Sequence, residues 1–104
     1  MSIKTGFKIP KSFYIFNHKI NVEICDKILD ERDRVGEADF RQNKIRLVNK
    51  QKHNIPDSQQ AQTFFHELLH HCFNQLNEEE LNSNEKLIDN MAGVLAQAFE
   101  TMEY

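Results

Sequence analysis

The pentapeptide His66-Glu67-Leu68-Leu69-His70 places two imidazoles and a carboxylate at a spacing with chemical meaning on a helix. Residues four apart share one helix face, so His66 and His70 project side by side and can both reach one tetrahedral zinc ion at about 2.0 to 2.1 Å. Glu67, one position on, points about 100° around the helix, where it can hold a metal-bound water as general base rather than ligate the metal. This is the pattern of zinc-dependent hydrolysis. A five-residue motif also arises by chance in roughly two chains of a hundred with this composition, so its surroundings must carry it.

The surroundings are those of a helix. Ala61, Phe64, Phe65, Leu68, Leu69, Cys72, Phe73 and Leu76 recur at spacings of three and four, predicting a helix from about Ser58 to about Leu76 within the segment 57–77, with Pro56-Asp57-Ser58 supplying the N-cap. His66 and His70 fall at the border of its apolar arc, so they can face a cleft with their backs to the core. Phe64, Phe65, Leu68 and Met91 read as core. A second helix, from about Asn84 to about Met102 within 83–103, is marked by the stripe Ile88, Met91, Ala92, Leu95, Phe99 and Met102.

A third protein ligand is needed. The metzincin pattern would require Gly at 73 and His at 76, where this chain has Phe73 and Leu76. Adjacent His71 points to another face and reads as a partly buried or surface histidine; His18 and His53 read as surface residues. A carboxylate must therefore complete the site. Glu85 borders the second helix's apolar stripe, beside Ile88 and Ala92, with Asp89 four residues later on the same face. The two helices can then pack with both sets of ligands at one rim, holding one Zn2+ per chain. Against this stands a capping reading, in which Asn82-x-x-Glu85 is a capping box and Glu85 only bonds backbone.

His66-Glu67-Leu68-Leu69-His70 followed by Asn84-Glu85-Lys86-Leu87-Ile88-Asp89 resembles the gluzincin signature HExxH…NExxxD. The resemblance implies Glu85 as third zinc ligand and Asp89 as a second-shell partner holding a ligand histidine. Chain size and a sheet followed by two helices are similar to the minigluzincins, very small metallopeptidases of this type. Glu85 to Leu95 is also similar to ImmA/IrrE-type metallopeptidase domains of phages and mobile elements. The specific motif spans about 24 residues, and the short stretch from His70 to Glu85 requires a tight turn between the helices. The function implied is that of a zinc metalloendopeptidase of narrow or latent activity, acting on a peptide or protein that adds as a strand to the sheet edge. In gluzincins that edge lines the cleft, which makes 38–41 or 44–48 the candidate strand. Tyr14, Tyr104 and His71 are equal candidates for the group that stabilises the oxyanion. The alternative is a zinc-stabilised, non-catalytic interaction module, but structural zinc sites normally close with four protein ligands, and neither Cys25 nor Cys72 has ligand spacing.

The first fifty residues must make the sheet. Residues 13–16 and 19–24 flank Asn17-His18 as one hairpin, with Ile20, Val22 and Ile24 alternating with polar neighbours; 38–41 and 44–48 flank Gln42-Asn43 as a second. The charged run 30–36 reads as surface and 49–56 as a linker. The expected fold is α+β: a small, mostly antiparallel zincin-like sheet of two hairpins, then two packed helices, in one domain over residues 1–104. Thirteen Lys and Arg against sixteen Asp and Glu, for a net charge of −3, disfavour nucleic-acid binding. No apolar run is long enough to span a membrane and none resembles a secretory signal, so a cytoplasmic protein with reduced, buried Cys25 and Cys72 is expected.

Overall fold

The computed structural model describes residues 7–104. Strands β1 (Ser12–Ile15) and β2 (His18–Ile24) form the first hairpin, with Ile15 opposite His18. Its two-residue turn is Phe16-Asn17, both left-handed at φ 48° and 67°, as the twist of a tight hairpin demands. The turn therefore lies one residue before the expected Asn17-His18, because Asn17 takes the second left-handed position rather than the first. Ile20 is fully buried, whereas Ile24 is 57% exposed at the strand's end.

Helix α1 (Lys27–Arg32) follows, where no helix was expected. It is too short for periodicity to show, and only Ile28 is buried. Asp33 ends it in the left-handed conformation, and the Asp33 and Arg34 amides donate to Leu29 and Ile28 carbonyls at 3.0 and 3.1 Å. The chain then crosses to the far side of the sheet as β3 (Gly36–Asp39) and returns as β4 (Lys44–Leu47). The sheet order is β1-β2-β4-β3. Both hairpins are antiparallel as expected, but they join through a parallel β2–β4 pair, Asn21 opposite Lys44 through Ile24 opposite Leu47, so the sheet is mixed. Short turns dictate the antiparallel pairs; the α1 crossover permits the parallel one.

Helix α2 (Asp57–Gln75) packs on the inner face of this sheet. Pro56 occupies its N-cap in an extended conformation, so the expected side-chain cap from Asp57 or Ser58 does not form. Asp57 instead begins the helix, and its carboxylate, favourably placed at the helix's positive end, accepts from Lys50 Nζ at 2.6 Å. Asn77 at φ 56° follows the C-terminus, a single turn α3 (Glu79–Asn82) lies in the segment expected to be irregular, and α4 (Glu85–Thr101) returns along α2. Asn84 caps α4, its Oδ1 accepting from the Leu87 amide at 3.1 Å.

One core joins these layers: Ile20, Ile45 and Leu47 from the sheet, Ala61, Phe64, Phe65 and Leu69 from α2, and Ile88, Ala92 and Ala96 from α4. Each of its larger side chains contributes about 1.5–3 kcal/mol by leaving water. Leu68 and Met91 pack against it partly buried. Phe99 and Met102, expected within the buried stripe, are 39% and 38% exposed, although Phe99 still stacks on Phe65 with ring centres 5.2 Å apart. Among the described residues, no helix is long and apolar enough to cross a membrane.

Candidate metal centre and cleft

His66 and His70 lie one turn apart on α2, at the boundary between its core face and an open cleft. The tight α2–α3–α4 connection brings the first residue of α4 against them. His66 Nε2 lies 3.1 Å from Glu85 Oε2, His70 Nε2 lies 3.2 Å from Glu85 Oε1, and the two Nε2 atoms are 3.3 Å apart. Ligand atoms about 2.05 Å from one metal at tetrahedral angles would stand about 3.3 Å from each other, so the donor set already has the dimensions of a zinc site.

The other nitrogens explain why the Nε2 atoms face inward. His66 Nδ1 lies 3.1 Å from Asp89 Oδ1, and His70 Nδ1 lies 2.6 Å from Asn82 Oδ1. Asp89 Oδ1 and Asn82 Oδ1 can each accept from an Nδ1–H, the arrangement that leaves Nε2 as the ligating nitrogen when a metal is held. Two imidazoles and a carboxylate suit zinc, and no other group of three or more His, Cys, Asp or Glu side chains among the described residues is arranged to hold a metal.

The capping reading of Glu85 is not realised. Asn84 is the N-cap, while Asn82, the expected partner in a capping box, instead holds His70 from α3. That role of Asn82 was not anticipated: its signal would have been a polar side chain in the turn between the two ligand helices. Asp89, expected to hold a ligand histidine, lies against His66, Oδ1 to Nδ1 at 3.1 Å.

Glu67 is 8% exposed, and its carboxylate accepts no hydrogen bond among the described residues. Burial pushes this carboxyl upward; His66 and His70 oppose that shift, Glu85 adds to it, and Arg34 opposes it more weakly. It lies directly under β3. A Cβ at Gly36 would collide with Thr63 Cγ2 and approach Glu67 Oε2 to 3.3 Å, so the missing side chain lets the strand pass close over the carboxylate. The cleft holds about 630 Å³, with the 33–36 segment on one side and His66, Glu67, His70, Glu85 and Asp89 on the other.

Strand β3 (Gly36–Asp39) is a sheet edge, whereas β4 pairs on both sides, so of the two strands expected as the edge, 44–48 is excluded. None of the three expected oxyanion helpers lines the cleft. Tyr14 is 66% exposed on β1 at the opposite edge, and Tyr104 is fully exposed at the end of the chain. His71 is fully buried: Nε2–H donates to the Lys44 carbonyl at 2.8 Å, Nδ1 has no partner among the described residues, and Phe40 meets the ring edge-on. Burial holds its pKa below the usual histidine value. The cleft's cation is Arg34, hidden in the sequence by a charged run that reads as solvated surface.

The remaining expectations concern residues outside the cleft. Cys25 and Cys72 are free and half-buried rather than buried, and burial raises the Cys72 thiol pKa. His18 is exposed, but His53 is half-buried and bonded to Asp26 at 3.1 Å. Comparisons with family models, curated proteins and solved structures found no match to this chain.

Proposed function

We propose that this protein is a zinc-dependent metallopeptidase of the small gluzincin type, with His66, His70 and Glu85 as ligands and Glu67 as general base. The observation that carries the reading is the convergence of both Nε2 atoms and Glu85 at 3.1–3.3 Å, each Nδ1 being occupied elsewhere, beside a buried carboxylate without hydrogen-bond partners. Bound zinc would polarise a peptide carbonyl and lower the pKa of a water to about 7. Glu67 takes the proton of the attacking water and returns it to the departing amine. Asp89 and Asn82 keep the two imidazoles in the ligating tautomer.

An extended peptide fits as a further strand beside β3, whose outer edge is unpaired among the described residues. Backbone hydrogen bonds would hold it without a deep apolar pocket, and Val35 is the one large apolar residue lining the cleft. A purely structural zinc site would need a fourth protein ligand, and the described residues offer three.

The test is elemental analysis with a peptide-cleavage screen on untagged protein reloaded with one equivalent of zinc. One zinc per chain, lost in His66→Ala, and cleavage abolished in Glu67→Gln with the metal retained, are the expected results. Retained cleavage in Glu67→Gln would sink the assignment.

A further inference from the structure

Three arginines surround the start of β3, and two are engaged. Arg32 donates from Nε and Nη2 to Glu37 at 3.0 Å each, and Arg46 donates to Glu23, Glu37 and Asp39 at 2.9 Å. Arg34 forms no ion pair within 4 Å among the described residues, and it lines the cleft together with Glu67, His66, His70 and Glu85. Its charge reaches Glu67 and favours that group's ionised form.

Its backbone is held in place. The Arg34 amide donates to Ile28 O at 3.1 Å, and the next carbonyl, of Val35, accepts from the Val48 amide at 3.2 Å. Arg34 is thus a residue with a held backbone, and without an ion pair among the described residues, lining a cleft whose other charged residues, apart from the histidines, are carboxylates: Asp33, Glu67, Glu85 and Asp89. Within a predominantly acidic cleft, a lone cation is the place where negative charge developing on a substrate is stabilised.

We infer that Arg34 is a catalytic residue that donates hydrogen bonds to the oxyanion formed at the scissile carbonyl, an assignment that rests on the metallopeptidase reading. As the water oxygen bonds to the carbonyl carbon, the C=O π pair moves onto oxygen and the water proton passes to Glu67. Arg34 N–H groups face the charged oxygen. When the C–N bond breaks, the pair returns to the carbonyl and the proton on Glu67 goes to the leaving amine.

The test compares full-length, zinc-loaded wild type with Arg34→Ala and Arg34→Lys. Calorimetry with N-phosphoryl-alanyl-alaninamide, whose tetrahedral phosphoryl group mimics the charged adduct, should show about 10²-fold weaker binding to Arg34→Ala, partly restored in Arg34→Lys, at unchanged zinc content. On a substrate found by the screen, kcat should fall about 10²–10³-fold in Arg34→Ala with KM little changed. Equal probe affinity in wild type and Arg34→Ala, no probe binding by zinc-loaded wild type, or a rise in KM at constant kcat would overturn the inference, the last by assigning Arg34 to a carboxylate of the bound substrate. Zinc content separates the two levels: a protein that takes up no zinc loses the peptidase reading and this inference with it, whereas a zinc-loaded protein inactivated by Glu67→Gln but indifferent to Arg34→Ala loses this inference alone.

Discussion

Glu37 and Glu67 are buried to nearly the same degree, 9% and 8% exposed, on either side of the edge strand β3, yet their surroundings are opposite. Glu37 accepts two hydrogen bonds from Arg32 and one from Arg46. Glu67 accepts none among the described residues and lies against the bare backbone of Gly36. Burial alone therefore does not set a carboxylate's surroundings; the supply of partners does. A buried, saturated carboxylate has its charge offset and its lone pairs engaged, whereas a buried, unpaired one can take a proton. His70 and His71 repeat the contrast on consecutive residues of α2: His70 lines the cleft with Nδ1 at Asn82, and His71 is fully buried with Nε2 bonded to β4.

The comparison breaks most readily at the glutamates. Glu67→Gln should reduce cleavage by about 10²–10⁴-fold with zinc content unchanged. Glu37→Gln should instead leave kcat little changed and lower unfolding free energy by about 2–3 kcal/mol in a denaturant titration, because Arg32 and Arg46 lose a charged acceptor. Equal losses of kcat in the two variants would erase the distinction. Zinc at about a hundredfold its Kd should raise stability by about 2.7 kcal/mol, an effect absent from His66→Ala and reversed by chelation, as thermal unfolding would report.

A smaller effect sharpens the role of the strand above Glu67. Gly36→Ala should cost about 1–3 kcal/mol by overpacking Thr63 and crowding Glu67; unchanged stability and kcat would show that β3 does not confine the carboxylate. The smallest effect concerns His71. Because burial depresses its pKa, the unfolded chain binds the proton more readily. His71's contribution to stability is therefore fully present above the ordinary histidine value and declines as pH falls below it toward the lower folded value. His71→Gln, which keeps a donor for the Lys44 carbonyl, should flatten that part of the pH–stability curve measured in urea; an unaltered slope would place the titration elsewhere.

The shared face of His66 and His70 was legible because helical spacing is a local property. His66 and His70 share a face at any i, i+4 separation, and the apolar stripes of both long helices orient those faces toward one another. The hairpins were legible for the same reason, since alternation and turn residues act over a few positions. Asn82 was read only as a possible cap, because its contact with His70 depends on how a one-turn helix packs. Arg34 was passed over because charge patterning describes the average member of a run: Arg32 is engaged by Glu37, Asp33 caps α1, and only Arg34 is left to the cleft unpaired.

Residue types and spacing by themselves determined the two hairpins, the two long helices and a pair of imidazoles beside a carboxylate, since each follows from contacts within a turn or two of chain. Tertiary structure alone decided that β2 and β4 run parallel, that β3 rather than β4 is the edge, that Asn82 and Asp89 lie at the Nδ1 atoms, and that Arg34 lines the same cleft as Glu67 without an ion pair among the described residues. Those outcomes depend on which surfaces meet after the chain crosses itself, and a linear pattern holds no record of the competition among partners that settles them.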